Sequence, residues 1–282
     1  FDLPLRYDFE HYELNETGKY QVFFEETQGT ALFKQYIWAS GNSGFALTGV
    51  GRNPQEYPTV SIENGIDGSR AIKLETKSTG QFGETVKMPI AAGNLFLGSF
   101  DVNNAVQKPL KATRFGLPFG KKPLQLKGYY KYTPGTQPFK AKDKNGNTVT
   151  IPGQEDEGDI YAVLYEAAEL DGKALDGNNV LTSENIVALA RVEVEKKDEF
   201  TAFHVDFHYG SRIPIDWPKF IQDQRDPSDD GTAPYLSFSE EKMKNYEYNL
   251  AVVFTSSKYG AYFAGSVGST LCIDKVEIVC EK

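Results

Sequence analysis

The sequence predicts an all-β protein, a jelly-roll-like antiparallel β-sandwich with long loops, and three observations carry that prediction. Aromatic residues reach 13%, with 19 Phe, 16 Tyr and 2 Trp against only 2 Met, a bias toward strands. The 26 Gly and 14 Pro are scattered, as frequent turns require, and do not gather into a low-complexity tail. Apolar and polar residues alternate in roughly ten short stretches without interleaved helices, which favours antiparallel sheets over an α/β arrangement. No repeat at a solenoid or propeller period is present.

Leu3, Leu5, Tyr7 and Phe9 alternate with Arg6, Asp8 and Glu10, the period of a half-buried first strand. Residues 60–62, 71–77 and 98–102 read the same way. In 126–133, Leu126, Gly128, Tyr130 and Tyr132 share a face, which assigns both tyrosines to the core and leaves Tyr129 on the other side. Asn145-Gly146 stands between extended stretches and predicts a hairpin that leaves the body. Strands over 160–166, 186–195 and 200–209 follow, and Ser239-Glu240-Glu241-Lys242 opens a short helix over 239–245. Asn249 to Phe254 is apolar on both faces, and 271–279 forms the last strand. Asp274 lies there among Leu271, Ile273, Val276 and Ile278, so it must be exposed or given a partner. The first and last strands are expected to be neighbours over one core.

With 282 residues a substantial core is available, and one domain over 1–282 is expected because no linker interrupts the chain. Residues 222–232 are polar enough for a linker but read as a long, solvated acidic loop. A net charge of −9 and a pI near 5.0 repel a nucleic-acid backbone, so no nucleic-acid partner is expected. No apolar window is long enough to span a membrane. Cys272 and Cys280 lie about 26 Å apart along a straight strand, too far for a disulfide.

The chemistry-bearing residues are few. In Phe203-His204-Val205-Asp206-Phe207-His208-Tyr209, alternation places His204, Asp206 and His208 on one face, workable for a metal or for sugar hydroxyls. Sugar rings stack on flat side chains, and Trp38 and Trp217 sit in loop-like sequence where a ring could be exposed. Tyr129 and Tyr259 are further candidates. Hydrolysis of a glycoside needs two carboxyl groups about 5–10 Å apart. Glu193 and Glu195 share a face but read as a charged outer hairpin, and Glu75, Asp101, Asp159 and Asp206 cannot be paired from sequence. The Glu-x-Asp-x-x-Glu signature of concanavalin-like glucanases is absent, as are a serine nucleophile elbow, a zinc motif and a complete phosphate loop.

Six ordered words, Leu74-Glu75-Thr76-Lys77, Gly93-Asn94-Leu95-Phe96, Leu126-Lys127-Gly128-Tyr129-Tyr130-Lys131-Tyr132, Asp159-Ile160-Tyr161-Ala162-Val163-Leu164, Ser256-Ser257-Lys258-Tyr259-Gly260 and Gly268-Ser269-Thr270-Leu271, resemble the "putative carbohydrate-metabolism domain" family of gut Gram-negative bacteria. The resemblance covers roughly residues 55–280 and implies a β-sandwich in a carbohydrate setting. It also implies an exported protein, a periplasmic or outer-membrane surface lipoprotein. The start at Phe1 without Met suggests a trimmed targeting segment, with any lipid anchor outside this chain.

The resemblance and the lack of a convincing acid pair favour a glycan-binding module with an oligo- or polysaccharide partner and no organic cofactor. A glycoside hydrolase with a cleft that includes Asp206, His204 or Glu75 is the alternative, and a structural or adhesive surface module is the third reading. The expected carbohydrate contacts are Trp217, His204, Asp206, His208 and Trp38. Sandwiches of this kind often tie their chain ends through a hard cation, which makes Glu10 and Asp274 candidate ligands of a structural calcium. Carbonyls from residues 27–29 would then complete its shell. Otherwise Asp274 pairs with Lys73 or Arg70, or accepts backbone hydrogen bonds at a bulge.

Overall fold

Every residue of the strand Asp159–Glu166 is buried, with Ile160, Ala162 and Leu164 on one side and Tyr161, Val163 and Tyr165 on the other. A strand buried on both faces needs cover on both. A computed structural model, which describes residues 2–28, 32–171 and 174–282, shows what supplies it. One antiparallel sheet runs in the order Lys197–Asp206, Pro123–Thr133, Thr270–Cys280, Ala71–Glu75, Thr59–Ile62. The second, of nine strands, runs Leu175–Asp176, Thr113–Phe115, Asn94–Phe100, Tyr248–Thr255, Asp159–Glu166, Ile186–Val192, His208–Tyr209, with Trp38–Ala39 and Leu117–Pro118 attached beside it. The fold is a jelly-roll-like antiparallel β-sandwich with long loops.

The main core lies between the sheets. Leu126, Tyr130, Tyr132, Leu271, Ile273, Val276 and Ile278 face Ile160, Ala162, Leu164, Leu250, Val252 and Phe254. A second apolar layer, with Phe96, Phe115, Tyr161, Val163, Tyr165, Val253 and Tyr235, covers the outer side of the nine-stranded sheet. Long loops close over it. This second layer is what makes the strands of that sheet apolar on both faces.

The first strand, Arg6–Tyr7, pairs with the last, with Arg6 opposite Glu277 and Tyr7 opposite Val276. Parity along Thr270–Cys280 switches between Ile273 and Val276, because a bulge around Lys275, with φ of 46°, sets three residues against two of the neighbouring strand. Asp274 sits at the switch and is fully buried. The apolar positions change from odd to even across this point of the sequence, which is the signature of that extra residue.

Several expected elements shift. The strand expected over 71–77 stops at Glu75, because Thr76 turns inward, and Lys77–Ser78 pairs instead with Ile90–Ala91. The Asn-Gly hairpin joins Lys140–Lys142 to Thr148–Thr150. The short helix is Glu240–Lys244, capped where the Ser239 hydroxyl accepts the Lys242 N–H at 3.3 Å. A separate three-stranded sheet, His11–Leu14, Gln21–Gln28, Leu32–Gln35, stands near the chain start. Among the described residues no helix is long and apolar enough to cross a membrane.

Candidate functional site

The outer face of the nine-stranded sheet is the floor of a cavity of about 210 Å3. Register fixes its lining: Phe96, Val253, Tyr161 and Arg191 are successive cross-strand neighbours, and Asn94, Thr255 and Asp159 form the next row. Alternation places these side chains outward because their sequence neighbours Leu95, Phe254 and Ile160 fill the main core. Trp217, Tyr259, Tyr262, Phe82 and Phe45 close the walls. Phe82 and Leu47, 38% and 46% exposed, leave an apolar rim open to water. The volume lies below the roughly 300–1,000 Å3 typical of drug-sized sites, so the cavity suits a small ring rather than a long chain.

Only one carboxylate lines this cavity among the described residues, and it is already engaged. Asp159, 3% exposed, accepts from Arg191 Nε at 3.1 Å and Nη2 at 2.7 Å. That geometry is the bidentate fork of a buried ion pair. Burial opposes the guanidinium charge, but Asp159 more than offsets it, and the Arg191 pKa is raised. The guanidinium also lies 5.7 Å from the Tyr161 ring centroid. Lys258 joins the same strand end, since its backbone N–H donates to the Glu157 carbonyl, two residues before Asp159. Burial pushes the Tyr259 hydroxyl up to about 12, so it stays protonated at neutral pH.

Trp217 is held firmly. The Arg225 guanidinium stacks 4.1 Å from its ring centroid and donates to the Tyr262 hydroxyl at 2.8 Å. Tyr259 and Tyr262 approach the same ring at 6.4 and 6.3 Å between centroids. The Trp217 Nε1–H is buried and has no partner among the described residues. An indole donor left this way inside an aromatic cavity is a group that a ligand oxygen could satisfy.

The structure does not gather the sequence-derived candidates into one site. His204 and Asp206 are exposed on the edge strand of the first sheet, opposite Lys127 and Gln125, and Asp206 accepts from Gln125 Nε2 at 3.1 Å. His208 does not share their strand. The chain leaves that sheet at Phe207, and His208 pairs with Leu189 at the edge of the other sheet, where its ring bonds the Ser211 carbonyl. The ring contacts of Trp217 are instead with Tyr259, Tyr262 and Arg225. Trp38 offers no ring to a sugar at all. It is 5% exposed, wedged against Tyr7, Phe9 and Phe254, and its Nε1 donates to Glu25 at 3.0 Å.

The residues expected to bind calcium are engaged otherwise. Asp274 Oδ2 accepts from the Ile66 N–H and the Ser69 hydroxyl, both at 2.8 Å, and Oδ1 accepts from the Lys275 N–H at 2.8 Å. Glu10 accepts from the Arg70 N–H at 3.0 Å. Both acids pin the 65–70 loop, with three N–H or O–H donors around Asp274. Of residues 27–29, Thr27 belongs to a strand and Gly29 lies outside the described residues. No group of three or more His, Cys, Asp or Glu among the described residues is arranged to share a metal. The other acids are also engaged at the surface: Glu195 pairs with Lys197, Glu75 with Lys73 and Lys77, and Asp101 with Arg114.

Glu25, beneath Trp38, makes the clearest pH prediction. Burial, reinforced by the nearby Asp8 and Glu10 charges, pushes its carboxyl up to about 7 against the Trp38 hydrogen bond. A raised carboxyl pKa means that the folded state holds the proton more tightly than the unfolded chain. The stabilisation is complete below about 4.5 and is lost as pH rises through about 7. Melting temperature is expected to fall between pH 5 and pH 8, and Glu25→Gln, which keeps an acceptor for Trp38, is expected to flatten that fall. An unchanged slope in the variant would remove Glu25 as its source.

Sequence reasoning missed the most buried acid next to the cavity. Asp156, 2% exposed, accepts from the Ser257 hydroxyl at 2.6 Å, the Ser269 hydroxyl at 2.7 Å, the Ser266 N–H at 2.9 Å and the Glu157 N–H at 2.9 Å. Burial still raises its pKa against these four bonds. The network continues through Thr76, whose hydroxyl lies 2.8 Å from Ser256 Oγ and 2.6 Å from Ser257 Oγ, to the Gly93 N–H at 2.9 Å from Ser256 Oγ. Tyr132 donates to the Ser256 carbonyl at 2.9 Å. Five of the six words that carry the family resemblance therefore meet in one buried polar junction. Gly93 is required there, since a Cβ would lie 2.4 Å from the Glu75 nitrogen and 2.6 Å from the Pro58 carbonyl.

Fold and site together define a β-sandwich with a loop-walled, aromatic cavity on the outer face of its larger sheet. The chain belongs to the putative carbohydrate metabolism domain family, whose model matches residues 8–279. A crystal structure described as a putative glycoside hydrolase from Bacteroides thetaiotaomicron is 42% identical, with a TM-score of 0.80 over 100% of this chain and 72% of the other. A second structure so described, from Bacteroides vulgatus, is 34% identical, with a TM-score of 0.78 over 99% of each chain. Comparison with curated proteins gave no match.

Proposed function

We propose that this chain binds a glycan, with a sugar ring in the cavity walled by Trp217, Tyr259 and Tyr262. The observation that carries this reading is an aromatic cavity whose lining carboxylate, Asp159, is held by two hydrogen bonds to Arg191. Rings supply stacking surface for sugar C–H faces, while Trp217 Nε1 and the tyrosine hydroxyls supply donors for sugar oxygens. An exported setting belongs to the same proposal and rests on the family resemblance.

Hydrolysis is the second reading, favoured by the description of the two similar crystal structures. It asks for a general acid and a second carboxylate across the scissile bond. The cavity offers one acid among its described lining residues, and both of its oxygens are bonded to Arg191. Binding without hydrolysis is therefore the reading adopted.

Trp217→Ala is expected to weaken binding of a responsive glycan by about tenfold or more, equivalent to roughly 1.4 kcal/mol. Trp217→Phe should retain part of the affinity, and melting temperatures of both variants separate lost contact from lost folding. Equal affinity of Trp217→Ala and wild type by calorimetry takes this residue out of the site. Reducing-sugar release from a polysaccharide panel decides between binding and hydrolysis.

A further inference from the structure

We infer that the sugar received in this cavity carries a carboxylate, as a hexuronic acid unit does, and that Lys258 and Arg191 receive it. The inference rests on the glycan-binding reading and names its substrate class. Its basis is a set of cationic and indole donors around the cavity that lack partners. Trp217 Nε1, Arg191 Nη1 and Lys258 Nζ line it without a partner among the described residues and can only donate, whereas the Tyr161 and Tyr259 hydroxyls beside them can donate or accept. Each Asp159 oxygen takes one bond from Arg191 and keeps further acceptor capacity. The ring hydroxyls of any sugar can be served by the tyrosine hydroxyls and Asp159. A carboxylate, which presents acceptors alone and a negative charge, matches the two cations and the indole donor.

Charge points the same way. The protein as a whole carries −9, yet the charged side chains that line the cavity are Asp159, Arg191 and Lys258, one acid and two cations. Asp159 neutralises Arg191, which leaves the Lys258 charge without a counter-ion among the described residues. Lys258 is half-buried and packs its ammonium 5.7 Å from the Tyr259 ring centroid, so its charge is directed along the aromatic wall. Exposed Glu157 and Asp216 act on Tyr259 from outside the lining, where solvent screens them. A pyranose ring stacked on the tyrosine side would bring a carboxylate at its C5 position toward the lysine.

The test is calorimetry on the full chain with short oligomers of galacturonate, glucuronate, mannuronate and guluronate, each against its own methyl ester. Esterification removes the charge and keeps the ring. At least one acid is expected to bind about tenfold more tightly than its ester, with the preference reduced at roughly 0.5 M salt. Lys258→Gln should bring the acid-to-ester ratio close to one, and Lys258→Arg should retain it. The inference is overturned if no acid is preferred over its ester, or if Lys258→Gln keeps the full preference. Neutral oligosaccharides binding while the acids do not would overturn this inference and leave glycan binding standing. No binding across acidic and neutral glycans alike would overturn both.

Discussion

Arg191→Ala is expected to destabilise the protein by about 3–5 kcal/mol, because it strands a buried carboxylate without its partner. Asp159 is 3% exposed, and its two hydrogen bonds both come from Arg191. The neighbouring strand positions are occupied by Tyr161 and Thr255, neither of which brings a compensating charge. Chemical denaturation at neutral pH reads the loss directly. The double variant Arg191→Met, Asp159→Leu should recover much of it, since removing both charges also removes their desolvation cost. A single variant as stable as wild type would show that water reaches Asp159 and that the pair is a surface feature. The same variant is expected to lose glycan affinity, so binding must be measured below its unfolding temperature.

Asp156→Ala should cost a similar amount, about 3–4 kcal/mol, for a different reason. Four donors converge on this carboxylate, from Ser257, Ser266, Ser269 and Glu157, and each would be left without its acceptor. Asp156→Asn should recover only part of the loss, because its amide presents N–H groups where the site already supplies donors. Loss of the junction releases the Ser256–Ser257 turn that carries Lys258 and Tyr259 into the cavity, so ligand affinity is expected to fall with stability. If Asp156→Ala unfolds at the wild-type denaturant midpoint, the network holds nothing together and the family words need another explanation.

The candidate site was only partly legible in the sequence. Trp217 and Tyr259 were readable as rings in loop-like or turn-rich sequence, and they do wall the cavity. Trp38 reads the same way yet is core, because a two-residue strand inserts it beside Asn94–Phe100 and Glu25 satisfies its indole nitrogen. His204 and His208 alternate correctly in sequence, but Phe207 carries the chain from one sheet to the other between them. Local periodicity cannot register such a crossing, since the alternation continues while the hydrogen-bonding partner changes. Asp159 was visible only as an acid near a strand. Its role depends on Arg191, brought opposite Tyr161 by strand register.

By itself the sequence determined the all-β class, most of the strands and the short capped helix, because strand alternation, turn residues and caps act over a few neighbours. The parity change across Asp274 even marked the bulge that buries it. Only the tertiary structure decided which polar groups meet. Ser269 donates to Asp156, 113 positions away, and the Ile66 N–H donates to Asp274, 208 away. Buried carboxylates take whatever donors the packed sheets and loops place within about 3 Å. That choice is made by three-dimensional register, and no short window of sequence contains it.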